Sequence, residues 1–380
     1  MKFSHFRIFL RHPASRATGW VFLGEGIIFG TWAASVPYVK EKFDLDEAEL
    51  GMLLLCLPLG VMLTNPFTVR LLHRFGSVKA TWGSLAVAAV LFIFPFLSSS
   101  LWFTGISLVA VGASLACTNV FMNTCASQLE HFGGLRIMST CHGVWSLGGM
   151  SGSAVAGMAT GFGVPHLAYV FVLAILLVAV ALLIRPALEG VPDNPHEADI
   201  PQEKPPLFVK PNRALWTLIF ISLCTNLTEG TMADWSAVYV REVVKADEAM
   251  VGWGYAVFAF FMATGRLLGD GLIANYGSRK LLVAGGIVVA VGFVLSALLP
   301  YLPVVLLGFA MVGWGVALGA PILYAASAKV PGMAKGAGLA TMNNFAMAGF
   351  LTGPALIGFL AKAFSLPGAF LVVAGMAGVW

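Results

Sequence analysis

Charge is scarce in this chain, and with it everything that builds a water-facing surface. Asp, Glu, Lys and Arg make up 11% of the 380 residues, against 58% hydrophobic residues, where a soluble domain carries roughly 25% charged residues. The mean hydropathy is +0.87. So little polar surface excludes a protein dissolved in water, and the lipid bilayer becomes the expected partner. Cysteine is sparse as well. The five present, Cys56, Cys117, Cys125, Cys141 and Cys224, lie in apolar stretches without CxxC or Cys/His spacing. They read as reduced, buried small residues, which excludes a disulfide framework and a metal centre. The GxxxxGK[ST] loop is missing, which excludes ATP as the energy source. HExxH and Ser/His/Asp groupings are missing too, and no polar stretch is long enough for a soluble domain. The expectation is a protein that is not an enzyme and uses no cofactor.

Apolar runs are what the chain has instead. Crossing the hydrocarbon takes about 20 residues of helix. Candidate spans fall near 19–39, 48–69, 78–98, 101–128, 139–162 and 165–185, then near 214–238, 249–275, 280–300, 302–328, 335–361 and 365–380. The fold class expected is an all-α membrane protein of twelve transmembrane helices in two six-helix bundles. The last run is short, about 24 Å at 1.5 Å per residue, so the chain is expected to be trimmed just beyond Trp380. The N-terminus, Met1 to Arg16, is basic and lacks the apolar core and cleavage site of a signal peptide, so the first run is expected to stay as a helix. Pro186 to Arg213, with several prolines and acids, reads as a cytoplasmic linker (186–213) between an N-terminal bundle, 1–185, and a C-terminal bundle, 214–380.

The net charge of +4 calls for no nucleic acid; its location matters more. With the N-terminus in the cytoplasm, 17 of the 22 Lys and Arg residues fall inside and five outside (Lys40, Lys42, Arg241, Lys245, Lys362). Positive residues mark cytoplasmic loops, so both termini are expected in the cytoplasm and the protein in the inner membrane.

The chain also repeats itself. At an offset of 201 residues, Phe75-Gly76-Ser77 aligns with Tyr276-Gly277-Ser278 and Lys79 with Lys280. Val111-Gly112 falls on Val312-Gly313, and Gly148, Gly152, Ala154 and Gly157 fall on Gly349, Gly353, Ala355 and Gly358. A constant offset across three separate segments points to duplicated halves, the arrangement in which two bundles rock around a midplane site.

Here the sequence resembles the major facilitator superfamily over essentially its whole length. His73-Arg74-Phe75-Gly76-Ser77-Val78-Lys79 is similar to that superfamily's basic Asp-Arg-x-Gly-Arg-Arg loop, and Asn275-Tyr276-Gly277-Ser278-Arg279-Lys280 is its copy. His73 stands where the family's Asp is usual, and Ala274 takes that place in the copy. Two further stretches resemble the fucose–proton symporter branch and its bacterial inner-membrane relatives. They are Cys141-His142-Gly143-Val144-Trp145-Ser146-Leu147-Gly148-Gly149 and Thr228-Glu229-Gly230-Thr231-Met232-Ala233-Asp234-Trp235. The resemblance implies a monomeric secondary transporter with its cavity between spans 1, 4, 7 and 10. The acids of that branch in spans 1 and 4 align with Ala33 and Asn119, so its proton mechanism does not transfer to those positions.

Each polar residue inside a span costs some 2.5–3.5 kcal/mol if charged and is a functional candidate. Glu229, about fifteen residues into span 7, is the leading group for reversible protonation. Asp234, Glu25 and His142 are further proton-coupling candidates; Asp234 alternatively joins an outer gate with Arg241, and Glu25 an inner one. Asn119 and Asn123, four apart on one helix face, together with Asn343 and Asn344, offer amides to a hydroxyl-bearing solute. Trp32, Trp145, Trp235 and Trp314 offer ring faces for the same solute, or ordinary packing. Arg74 and Arg279 in the two basic loops, and Arg266 towards the cytoplasmic end of span 8, read as gating cations.

The function expected is a proton-coupled carrier of a small polar solute, with a sugar or sugar derivative favoured by the branch resemblance. The alternatives are a proton-driven exporter of amphipathic compounds or drugs, suggested by 28 Phe and 10 Trp, and a membrane sensor or enzyme that transports nothing.

Overall fold

The computed structural model describes residues 9–135, 137–192, 210–330 and 337–380. Within them the regular structure is helical. In chain order the helices are α1 (Pro13–Lys42), α2 (Glu47–Leu54), α3 (Cys56–Phe75), α4 (Ser77–Leu91), α5 (Phe94–Leu97), α6 (Leu101–His131), α7 (Met138–Gly161) and α8 (His166–Leu188). The second half holds α9 (Arg213–Val238), α10 (Glu248–Val251), α11 (Trp253–Tyr276), α12 (Ser278–Leu298), α13 (Leu302–Val316), α14 (Gly319–Ser327), α15 (Ala337–Phe364) and α16 (Leu366–Val379). A π-helical turn, Tyr239–Val243, extends α9. Among the described residues, eight stretches are long and apolar enough to cross a membrane, and two shorter apolar helices lie in the last thirty residues.

Four of the expected spans are broken; proline explains three of the breaks, and the fourth, at Gly252 within 249–275, has no proline. A proline has no N–H for the carbonyl four residues earlier, and its ring crowds that carbonyl. Pro58, Pro95 and Pro321 therefore free the carbonyls of Leu54, Leu91 and Ala317. The helices end at Leu54, Leu91 and Val316. Elsewhere the ends follow local chemistry. Asp46 caps α2 in a reciprocal box with Glu49, and Asn212 accepts from the Leu215 N–H at 2.9 Å to start α9. α8 runs to Leu188, a little past the expected end at 185. Most of the expected linker 186–213 lies in 193–209, outside the described residues.

The repeat is geometric as well as sequential. Gly76 (φ +74°) and Gly277 (φ +77°) each end one helix and begin the next in a conformation that favours glycine. At the opposite end, Asp44 (φ 50°) and Lys245 (φ 56°), also 201 apart, adopt matching left-handed turns. Helix crossings repeat too. A Cβ on Gly112 would overlap the carbonyl oxygen of Leu57, and one on Gly313 would overlap that of Phe258, again at an offset of 201 in both partners.

Candidate functional site

The first wall of the site is made where α1 and α7 approach closely. Gly26 and Gly30 on α1 lie against the backbone of Trp145 and Gly149, where any side chain would collide. This seam brings the Trp145 indole onto Glu25, with Nε1 donating to the carboxylate at 3.0 Å. Glu25 is 4% exposed and joins no ion pair among the described residues. The Asn119 amide on α6 lies within reach of the same carboxylate. Asn123, one turn on, donates to the Asn119 carbonyl at 2.8 Å and approaches its side-chain oxygen at 3.4 Å, so the two amides do share a face. His142, one turn before Trp145, meets the ring of Phe22 edge-on at 5.3 Å.

The second wall holds a charge pair. Arg266 on α11 donates from one nitrogen, Nη2, to both oxygens of Glu229 on α9, at 3.1 and 3.2 Å. Its Nε points to the Ala317 carbonyl at 3.4 Å, which is the carbonyl freed by Pro321. A helix break thus supplies an acceptor that an intact helix would have used. The two side chains keep 25% and 29% exposure although both sit well inside long helices, so solvent reaches them through the interior. Arg266 lies within electrostatic range of His142 and Tyr324, and Tyr255 is influenced by both members of the pair. The two walls therefore meet near α7 and α11.

One end of the molecule is clamped shut. Lys40 on α1 binds Glu47 at 3.1 Å and, in the other half, Glu242 at 2.6 Å. Arg241 binds Glu248 at 2.9 Å and, in the other half, Glu41. Every one of these residues has its copy 201 positions away, so the clamp is reciprocal within the same repeat. Lys362 adds a bridge to Asp46 at 2.7 Å. Ser153 on α7 donates to the Gly252 carbonyl at 2.7 Å beside α10. Away from this end α15 packs mainly on α2 and little on α3, while α7 and α11 stay in contact, with Leu267 against Gly143.

The remaining expected residues fall as follows. Asp234 lines a small cleft with Phe29, Trp32, Pro58 and Gly230, and makes no pair with Arg241. Trp32 is buried with its ring edge-on to Phe96. Trp235 is fully enclosed, its indole N–H without a partner in the described structure. Trp314 is 38% exposed in a groove between α11, α12 and α13, apart from the polar walls. Arg74 stacks over Phe75 at 5.7 Å; neither it nor Arg279 enters an ion pair among the described residues. Asn343 and Asn344 fall on α15, but their side chains lie outside the described set. Arg241 is expected in an outer gate, though with Asp234 and not with Glu41 and Glu248; the other clamp residues and Asn65 are missing from the sequence-based candidates. The offset of 201 was the signal that could have found them.

Two helical halves that repeat at an offset of 201 residues, clamped at one end around interior charges, suit one transporter architecture. The Major Facilitator Superfamily profile matches residues 20–245 and 235–380. The chain belongs to the Major Facilitator Superfamily. As a member it is a multi-pass membrane transporter of small-molecule solutes, and not an enzyme. It is 32% identical over 365 residues to an uncharacterised MFS-type transporter of Yersinia pestis, covering 94% of this chain and 91% of the relative. It is 29% identical over 357 residues to the membrane protein MosC of Rhizobium meliloti, covering 94% and 86%. Among solved structures the fold is similar to the nucleoside transporter NupG, with a TM-score of 0.68 at 14% identity and 96% of both chains covered. It is also similar to a bacterial homologue of the human lysosomal transporter Spinster, with a TM-score of 0.73 at 13% identity and 96% and 93% covered.

Proposed function

We propose that this superfamily member is a proton-coupled carrier of a small polar solute, with a sugar or sugar derivative favoured, working by alternating access in the inner membrane. In this reading the chain crosses twelve times as two bundles, 1–185 and 214–380, joined by a cytoplasmic linker, and works as a monomer. The excess of Lys and Arg in one set of loops supports cytoplasmic termini. The clamp of Lys40, Glu41, Arg241 and Glu242 then lies on the outer side, and the state described is open inward.

Glu25 is the observation that carries the reading. A carboxylate so deeply enclosed, with an indole N–H and an amide but no cation beside it, needs its charge compensated by a proton or by the solute. Glu229 already has Arg266, so Glu25 takes the leading proton role, and the Arg266–Glu229 pair supplies polar contacts on the facing wall. Asn119 and Asn123 grip hydroxyl groups beside Glu25, and the Trp145 ring offers an apolar face. The fucose–proton symporter resemblance supports a sugar, and a ribose-bearing nucleoside, as carried by NupG, has similar hydroxyl chemistry. In proteoliposomes with a pH gradient, Glu25→Gln is expected to lose solute-coupled proton flux while still binding solute. Full coupling retained in Glu25→Gln sinks the assignment.

A further inference from the structure

The 201-residue repeat reaches into the polar interior, and one residue it pairs has no role in the account above. Leu57 and Gly112 cross in the same register as Phe258 and Gly313, so α3 against α6 superposes on α11 against α13. In that register the counterpart of Arg266 is Asn65.

The position of Asn65 on α3 agrees with a cavity role. It lies seven residues, about two turns, beyond Pro58 and on the same stripe. Pro58 lines a cleft with Gly230 and Asp234 of the other half, so the stripe runs along the boundary between the halves. Leu63 and Phe67, two residues to either side of Asn65, project from the opposite face and are each 53% exposed, as apolar side chains turned to lipid would be. Asn65 itself is half-buried. Its backbone carbonyl accepts from Thr68 Oγ1 at 2.8 Å, but its side-chain amide has no partner among the described residues. An amide carries two donor hydrogens and an accepting oxygen, and inside a membrane protein such groups are normally paired. Arg266 mirrors the situation: Nε and Nη2 are used, while Nη1 has no partner among the described residues.

We propose that Asn65 is a solute-contacting residue, the first-half counterpart of Arg266, so that one solute is held between an amide on α3 and a guanidinium on α11. This rests on the carrier reading and narrows the solute. It must present an acceptor oxygen, carbonyl or hydroxyl, to Arg266 and a hydroxyl or amide to Asn65, without needing a full negative charge, since Glu229 already balances the arginine.

The test uses the purified full-length protein in proteoliposomes with radiolabelled pentoses, hexoses and nucleosides. For any solute the unaltered protein carries, Asn65→Ala raises KM about tenfold, the loss of a hydrogen bond or two, with kcat unchanged. An unchanged KM overturns the proposal. If the unaltered protein carries none of the panel, the sugar-like carrier reading fails on its own, and Asn65 is decided by accessibility. Asn65→Cys reacts with a membrane-impermeant sulfonated maleimide above the background of the native cysteines, while Phe67→Cys does not. An Asn65→Cys protein that stays monodisperse yet is as unreactive as Phe67→Cys overturns the proposal.

Discussion

At the scale of the residue, Glu229 and Arg266 compensate one another, and removing either alone strands a charge in the interior. Arg266→Gln is expected to lower stability in detergent by about 1–3 kcal/mol. The double variant Arg266→Gln/Glu229→Gln recovers much of that loss, read as thermal midpoints of the four proteins in a double-mutant cycle. Arg266→Lys does not substitute, because an ammonium cannot span both Glu229 and the Ala317 carbonyl as the planar fork does. A double variant no more stable than Arg266→Gln contradicts the pairing. Asp46, in the turn before α2, gives the pH dependence. The hydrogen bond from Lys362 holds its carboxyl below the usual carboxylate range. With the bound value depressed, the bridge contributes fully above the ordinary carboxylate pKa and is lost only as pH falls through the depressed value. The Asp46–Lys362 link is therefore expected to survive mild acidity, and Asp46→Asn to remove this dependence. The readout is cysteine accessibility at the clamped end across pH; loosening already near pH 6 in the unaltered protein argues against it.

At the scale of the element, close helix approach carries the architecture. Gly112→Ala and Gly313→Ala each put a methyl group into a facing carbonyl, and each is expected to cost about 2 kcal/mol or more. Gly230→Ala, with open space around its Cβ position, is expected to be neutral or slightly stabilising through helix propensity. Thermal melts of the three proteins check this, and a Gly230 variant as damaged as the other two refutes the packing argument. Most helices were legible because an apolar run of sufficient length has few alternatives, and their ends fell within a few residues of where polar residues and Gly76 or Gly277 stand. The breaks at Pro58, Pro95 and Pro321 were only partly legible: proline always frees the carbonyl four residues back, but Pro37, Pro66 and Pro354 sit inside helices that run on. What no single span reveals is which side chain takes that carbonyl. The Ala317–Arg266 contact joins different helices, so Arg266 reads from sequence as a cation near a helix end and gains its partner only in three dimensions.

At the scale of the whole molecule, the two halves act on each other through a clamp at one end and a polar interior below it. The clamp was readable from the offset: Lys40, Glu41 and Glu47 recur as Arg241, Glu242 and Glu248. A comparison anchored on glycines passes over it, because charged loop ends carry no helical periodicity. Lys40→Gln/Arg241→Gln is expected to open the clamped end by about 1–2 kcal/mol, roughly tenfold in population after solvent screening. Spin labels at Asp44→Cys and Lys245→Cys, with the five native cysteines replaced, report this as a longer distance. An unchanged distance distribution means the clamp does not hold the closed state.

Proton movement in proteoliposomes, followed with an internal pH dye during challenge with sugars and nucleosides, tests the central claim most directly. A solute-dependent proton flux that disappears in Glu25→Gln, and not in Gly230→Ala, is the result expected of a proton-coupled carrier centred on Glu25. Solute uptake with no accompanying proton flux, or flux undiminished in Glu25→Gln, contradicts it.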